Sequence, residues 1–316
     1  MIVFGSINVD LIFRVPSLPR EGETVLTDSF ATIPGGKGAN QAVAAARALS
    51  QEAEPVILAG CIGNDSFAEL ALSELKSAGV DLRTVKRVHR PTGCAAITVD
   101  HAGRNQITVA SGANLETSHN LVDTPLLKPG VIVLLQNEVS ESENLALARR
   151  AAERGGFVIL NAAPARTLSS QEWAGLLSVL VVNEKEAETI TGSTSVAALS
   201  FLAKELRATV VATLGSQGAL AVTPHGPGWR VSALPLEEVI DTTGAGDTFV
   251  GALAAALQGG QPLEEALRFA SAAGGLACTR PGAQPSAPSR ADILDRLRDL
   301  GPAQPLHVLD ASRDGL

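Results

Sequence analysis

Val179-Leu180-Val181-Val182-Asn183-Glu184-Lys185-Glu186 holds the architecture in miniature. Its first four residues are apolar with no polar alternate, the composition of a strand buried on both faces. The chain then turns polar at once. Asn183 and Glu186 stand three apart, like an N-cap and its capping-box partner, so a helix opens where the strand stops. A doubly buried strand that feeds a helix belongs to a parallel sheet packed between helical layers. The same unit recurs in both directions along the chain. Ile2–Phe4, Val56–Ala59, Val131–Leu135, Phe157–Leu160 and Val210–Leu214 read as further buried strands, with Gly38–Leu49, Ser66–Ala78, Ser142–Glu153 and Ser195–Leu206 as helices. The expected fold class is α/β, a three-layer sandwich around a central, mostly parallel sheet.

Two stretches break this rule. Residues 11–33 and 88–111 carry extended patterns, such as Cys94-Ala95-Ala96-Ile97-Thr98-Val99 and Asn105-Gln106-Ile107-Thr108-Val109, with turn residues between them and no helix. They read as a small antiparallel β-lid inserted into a body made of 1–10, 34–87 and 112–300, a candidate cover for a site at the strand ends. Residues 301–316, with Pro302, Pro305 and Gly315, read as a peripheral tail.

Composition narrows the function. The 316 residues are 45% hydrophobic, 18% charged and only 3% aromatic, with no Tyr, so the core is aliphatic and alanine-rich. Twenty-five basic residues against 33 acidic ones give a net charge of -8, and no run of Lys or Arg forms a patch, which excludes nucleic acid as a partner. Such a chain must attract an anionic ligand locally, against its own overall field. Cys61, Cys94 and Cys278 stand far apart, odd in number and in no metal-ligand spacing, which fits a reducing cytoplasm. The beginning Met1–Asp10 has no basic leader, and the longest uncharged stretch, Thr248–Leu263, falls short of the roughly 18 apolar residues a membrane span needs.

The chemistry concentrates in five places. In Asp241-Thr242-Thr243-Gly244-Ala245-Gly246-Asp247-Thr248-Phe249, a flexible turn opens a helix, so unpaired N–H groups and the positive end of the helix dipole form an anion site that needs no basic side chain. Asp247 in that first turn also suits a plain helix-capping acid. Pro34-Gly35-Gly36-Lys37-Gly38-Ala39-Asn40-Gln41 lets a ligand approach the backbone and offers donors at Lys37 and Asn40, although its glycines equally suit a left-handed turn. Asn8 and Asp10, two apart at a strand end, point the same way, and a carboxylate there can accept two hydroxyls of a diol. Asn183–Glu186 and Thr213-Leu214-Gly215-Ser216-Gln217-Gly218 each follow a strand, where ligands of open α/β sheets bind.

Together and in this order, the motifs resemble the ribokinase family of carbohydrate kinases along nearly the whole chain. Asn161-Ala162-Ala163-Pro164-Ala165-Arg166 and Cys278-Thr279-Arg280-Pro281-Gly282-Ala283-Gln284-Pro285-Ser286 add to the match. The resemblance implies ATP-dependent phosphorylation of the primary hydroxyl of D-ribose, with Asp247 as catalytic base and Gly244, Ala245 and Gly246 as anion hole. It implies that Asn8, Asp10, Gly36, Lys37, Asn40, Glu138 and Asp247 hold the sugar. Asn183, Thr213, Leu214, Gly215, Ser216, Gln217, Gly218, Gly246 and Ser271 would line the ATP site, with Glu186 organising Mg²⁺ through water. Asp241, Thr243, Ala277, Arg280, Gly282 and Ser286 match a potassium loop, so K⁺ is the implied activating ion, and a homodimer through the lids is implied as well. Ser271, Ala162 and Ala68 depart from residues usual in relatives, at the adenine, after the central strands and after Asn64-Asp65. Another sugar or nucleoside kinase is the nearest alternative. A non-catalytic sugar-binding protein or a nicotinamide-dependent oxidoreductase fits less well, the latter because the dinucleotide fingerprint is missing.

Overall fold

The computed structural model describes residues 1–306. Its strands, in chain order, are β1 (Ile2–Phe4), β2 (Asn8–Val15), β3 (Phe30–Gly35), β4 (Ile57–Ile62), β5 (Val85–Arg87), β6 (Gly93–Asp100), β7 (Asn105–Ala110), β8 (Ile132–Gln136), β9 (Phe157–Asn161), β10 (Val179–Asn183), β11 (Thr209–Thr213), β12 (Ala219–Val222), β13 (Gly228–Val231) and β14 (Gln304–Leu306). The helices are α1 (Lys37–Ala48), α2 (Phe67–Ala71), α3 (Ser73–Ser77), α4 (Glu141–Ala152), α5 (Ser170–Trp173), α6 (Glu184–Thr191), α7 (Val196–Leu206), α8 (Ala245–Gln258), α9 (Leu263–Ala277) and α10 (Arg290–Arg296).

Ten strands form one sheet in the order β14-β13-β12-β11-β10-β9-β8-β1-β4-β5. The run from β5 to β11 is parallel, as the apolar strand sequences require. Beyond β11 the sheet turns antiparallel, through β12 and β13, which follow by short connections, and β14, which the chain reaches only after α8, α9 and α10. The tail thus contributes an edge strand over Gln304–Leu306, and residues 307–316 lie outside the described residues. The expected helix over Ser66–Ala78 runs as α2 and α3, joined at Leu72, whose amide is shared between the Ala68 and Leu70 carbonyls.

Side-chain alternation sends each strand into two cores. Val3, Leu58, Leu134 and Ile159 face one side, with Val43, Phe249, Leu253, Leu267 and Phe269 from α1, α8 and α9. Ile2, Phe4, Val133, Leu135 and Leu160 face the other, with Leu147, Trp173 and Leu199 from α4, α5 and α7. Helices therefore cover both faces, and the strand ends are left for a site. No helix among the described residues is long and apolar enough to cross a membrane.

A second sheet of four strands, β3-β2-β6-β7, stands on the first. It consists of two antiparallel hairpin pairs, β2 with β3 and β6 with β7, joined by parallel pairing of β2 with β6. The register sets Asn8 opposite both Gly35 and Gly93, so this sheet begins at the polar end of the first strand segment.

Candidate active site

The site grows from the carboxyl ends of β1, β8, β10 and β11, the place where a parallel sheet leaves a crevice. Gly36, with φ +89°, has its missing Cβ position 2.7 Å from the Asn8 amide nitrogen. At Gly35 a Cβ would fall 2.3 Å from the Asp10 carboxylate. These glycines let the loop before α1 lie against β2, and so bring Asn8 and Asp10 beside Lys37 and Asn40. Glu138, just past β8, accepts from the Lys37 amide at 3.0 Å and from the Ser6 hydroxyl at 2.5 Å. Asn8 Oδ1 accepts from Asn114 Nδ2 at 2.7 Å.

Acids crowd this side. Burial, reinforced by the charges of Glu138 and Asp247 and opposed by Lys37, pushes the Asp10 carboxyl up to about 7. The Lys37 ammonium makes no ion pair within 4.0 Å among the described residues, yet the field of Asp247, with smaller contributions from Glu138, Glu186 and Asp10, outweighs its burial and raises its pKa. A cation thus sits between the carboxylates of the expected sugar side and those nearer β10.

Asp247 lies in the first turn of α8, 6% exposed. It faces α1: Asn40 Nδ2 donates to Oδ2 at 2.9 Å and Gln41 Nε2 to Oδ1 at 2.8 Å. The turn before it carries Gly244 at φ +74°, held so that a Cβ would meet the Ala283 Cβ at 2.6 Å. At Gly246 a Cβ would meet nothing within 4 Å, so that part of the backbone borders open space. The Gly246 and Gly244 amides have no backbone partner among the described residues, whereas the Ala245 amide donates to the Thr242 carbonyl at 3.2 Å.

Beside this turn lies a cleft of about 550 Å³, walled by Leu234, Leu236, Val239 and Phe249 and by the backbone around Thr213, Gly215 and Gly218. Gly246 and Ser271 also border it. One helix turn therefore presents backbone to an apolar cleft and a buried carboxylate to a polar cluster.

The profile described as pfkB family carbohydrate kinase matches residues 1–290. The chain belongs to the pfkB family of carbohydrate kinases. It is 36% identical over 308 residues to a ribokinase of Schizosaccharomyces pombe, covering 93% of this chain and 96% of that one. Among solved structures it is similar to a ribokinase from Thermotoga maritima, with a TM-score of 0.85 and 34% identity, covering 94% of this chain and 98% of that one. It is similar also to an Arabidopsis thaliana ribokinase complexed with ribose and ATP, with a TM-score of 0.85, 32% identity and the same two coverages of 94% and 98%.

In this pfkB-family chain, Thr213, Gly215, Ser216, Gly218, Ala245, Gly246 and Ser271 of the expected positions line the cleft, while hydrogen bonds join Lys37 to Glu138 and Asn40 to Asp247 in the polar cluster. Leu214 departs: its side chain is buried in the core on the other face of the sheet from Leu234 and Phe249 of the cleft wall, so at most its backbone faces a ligand. Asn183 and Gln217 do not line the cleft. Asn183 closes a full capping box with Glu186, accepting from its amide at 2.9 Å while the Glu186 carboxylate accepts from the Asn183 amide at 2.8 Å and side chain at 2.9 Å. Burial, against those hydrogen bonds and Lys37, raises the Glu186 pKa. The Ser271 hydroxyl is committed to the Ser232 carbonyl at 2.8 Å.

Asp241 ties the two halves of the expected ion loop together. Its carboxylate accepts from the Thr243 and Gly282 amides, both at 2.9 Å. Burial pushes its pKa up, but the Thr243 and Gly282 bonds prevail and hold it low. Ser286 is buried and donates to the Ala283 carbonyl at 2.9 Å, while Ala277 closes α9 and Arg280 is exposed on the turn that follows. Residue-type reasoning missed Ser6, Gln41, Asn114 and Gln284. Gln284 Nε2 donates to Asn40 Oδ1 at 3.1 Å and to the Gly35 carbonyl at 3.3 Å. Ser6, Gln41 and Gln284 lie inside motif segments, so their signal was position near Asn8, Asn40 and Ser286; Asn114 offered none.

Proposed function

We propose that this enzyme transfers the γ-phosphoryl group of ATP to the 5-hydroxyl of D-ribose. The observation that carries the reading is the two-sidedness of the α8 start: backbone at Gly246 opens on an apolar cleft suited to a nucleotide, and Asp247 faces a cluster suited to a polyol. The ribose and ATP in the Arabidopsis relative support both ligands.

Asn8, Asp10, Gly36, Lys37, Asn40 and Glu138 hold the sugar, with carboxylates accepting its hydroxyls and Lys37 and Asn40 donating. Asp247 takes the 5-hydroxyl proton as the new O–P bond forms and the bond to the β,γ-bridging oxygen breaks, releasing ADP. A general base contributes about 10²–10⁴-fold, and charge stabilisation supplies most of the remainder. The Gly244 and Gly246 amides and the dipole of α8 face the growing charge on the transferred phosphoryl, with Ala245 contributing if its turn bond to Thr242 yields.

Among the described residues no group of three or more His, Cys, Asp or Glu forms a protein cage for a metal. Mg²⁺ is held chiefly by water and phosphate oxygens, and Glu186, with both oxygens already accepting from Asn183, would order such water. The ion supplies charge neutralisation when bound. The Asp241 carboxylate, held ionised between two backbone segments, suits K⁺ with carbonyls of the 277–286 turn. The lid strands between 11–33 and 88–111 cover the sugar, and exposed Phe30, Ile107 and Val109 on them suit a lid-to-lid homodimer. Free Cys61, Cys94 and Cys278 fit a cytoplasmic setting.

The test is a coupled ADP-release assay over free pentoses, deoxyribose, hexoses and nucleosides, with and without K⁺. Ribose is expected to rank first and K⁺ to stimulate. A nucleoside or hexose well ahead of ribose overturns the substrate, and equal rates in K⁺ and a large inert cation overturn the ion loop.

A further inference from the structure

The two amides that grip Asp247 differ in what else they touch. Asn40 is held from behind by Gln284 and stands in the wall of the sugar cluster, so its Nδ2 can exchange Asp247 for a ligand oxygen. Gln41 cannot. It is 0% exposed, on the face of α1 that packs against α8, and its Nε2 has one partner, Asp247 Oδ1.

The helix crossing explains why. Asp247 and Gly251 are one turn apart on α8, on one face. A Cβ at Gly251 would come within 2.7 Å of the Ala44 Cβ and the Gln41 carbonyl, so the two helices meet almost backbone to backbone. At that separation a Gln side chain reaches the first turn of α8 without a gap. Gln41 Oε1 has no hydrogen-bond partner among the described residues. Its amide is therefore oriented by Asp247 alone, because a carboxylate only accepts and the flipped amide would set oxygen against oxygen.

Resting on the reading of Asp247 as base, we infer that Gln41 is a positioning residue: its Nε2–H pins Asp247 Oδ1 throughout turnover and leaves Oδ2, the oxygen shared with exchangeable Asn40, to receive the sugar proton. A carboxylate pinned at one oxygen cannot rotate about its last bond, so the accepting lone pair stays aimed at the crevice. A base displaced by about 1 Å loses on the order of 10²-fold in rate. The other charges facing Asp247 are those of Lys37, one turn before Gln41 on α1, and of Asp10 and Glu186.

The experiment compares Gln41→Met, Gln41→Glu and Asp247→Asn in the full chain, with thermal unfolding as the check on folding. Gln41→Met keeps length and removes the donor. Its kcat is expected to fall about 10- to 100-fold, as misplacement predicts. Its KM values for ribose and ATP should stay within about threefold, because the lost contact matters in the transition state. Gln41→Glu puts a second carboxylate beside Asp247, so the acid limb of the kcat–pH profile should move up by about one pH unit or more. Wild-type kcat in folded Gln41→Met, or an unmoved acid limb in Gln41→Glu, overturns the inference while an inactive Asp247→Asn leaves the base in place. Near-normal turnover in Asp247→Asn overturns the parent reading instead. Should Gln41→Met fail to fold, the Gln41→Glu profile decides.

Discussion

The two sides of the α8 start solve opposite problems by opposite means. On the polyol side most functional groups are side chains, buried or half-buried, and several are held by a neighbour: Asn8 by Asn114, Glu138 by Ser6 and the Lys37 amide, Asp247 by Asn40 and Gln41. On the cleft side the surface is mainly backbone and aliphatic wall, and the Ser271 hydroxyl is spent internally on Ser232. Side chains discriminate between hydroxyl patterns, whereas amides and apolar walls accept phosphates and a flat base without much regard to residue type. Substitutions should therefore be costly on the first side and mild on the second, unless they touch the backbone itself.

The largest effect tests the boundary between the sides. Asp247→Asn is expected to lose kcat by at least about 100-fold, the low end for a general base, while ATP binding measured by calorimetry persists. Loss of both together would mean that the two sides are one.

Two glycines sharpen the contrast. Gly36→Ala meets backbone at φ +89° and is expected to cost about 1–3 kcal/mol of stability, read as a fall in Tm. Gly246→Ala has open space and a helical position, so Tm should hold or rise by up to about 1 kcal/mol equivalent, as for Gly to Ala in a helix. Its KM for ATP should nevertheless climb, because the methyl fills the space beside the open amide. A Gly246→Ala enzyme with unchanged KM would remove that amide from the nucleotide site.

The acidic crowding predicts a pH dependence on the polyol side, at Asp10. Asp10 has an ordinary carboxylate pKa when the chain is unfolded and one of about 7 when folded. The folded state then binds the extra proton between these values, so its contribution to stability is present at low pH and is lost as pH rises through that window. Sugar binding runs the other way, since only the carboxylate accepts two hydroxyls: KM for ribose should fall as pH rises through about 7. Asp10→Asn should flatten both trends, with weaker ribose binding throughout. An unchanged ribose profile in that variant would place the titration elsewhere.

The smallest effect is expected on the cleft side. Ser271→Ala removes a hydroxyl that donates inward, so stability should drop by about 0.5–1.5 kcal/mol with KM for ATP nearly unchanged.

Legibility followed the same division. The buried parallel strands could be read because Val179–Val182 and its counterparts lack any polar alternate, and the turn Asp241–Asp247 because its glycines open an apolar helix, although spacing alone left Asp247 equally a capping acid. The antiparallel edge β12–β14 could not, since strands this short carry little periodicity. Nor could Gln41 or Gln284, whose residue type announces nothing until a partner is known.

The chain by itself thus determined which segments are buried, where helices begin and which residues are chemically able to hold a sugar, move a proton or face a phosphate. Those properties follow from local periodicity and from the chemistry of single residues. Only the tertiary structure decided the partners: that Asp247 meets Asn40 and Gln41, that Asp241 joins Thr243 to Gly282, and that Leu214 is buried in the core away from the cleft wall. Such pairings join residues far apart in sequence, and their distances are set by how closely helices and strands can pack, here by the bare backbones of Gly35, Gly36 and Gly251.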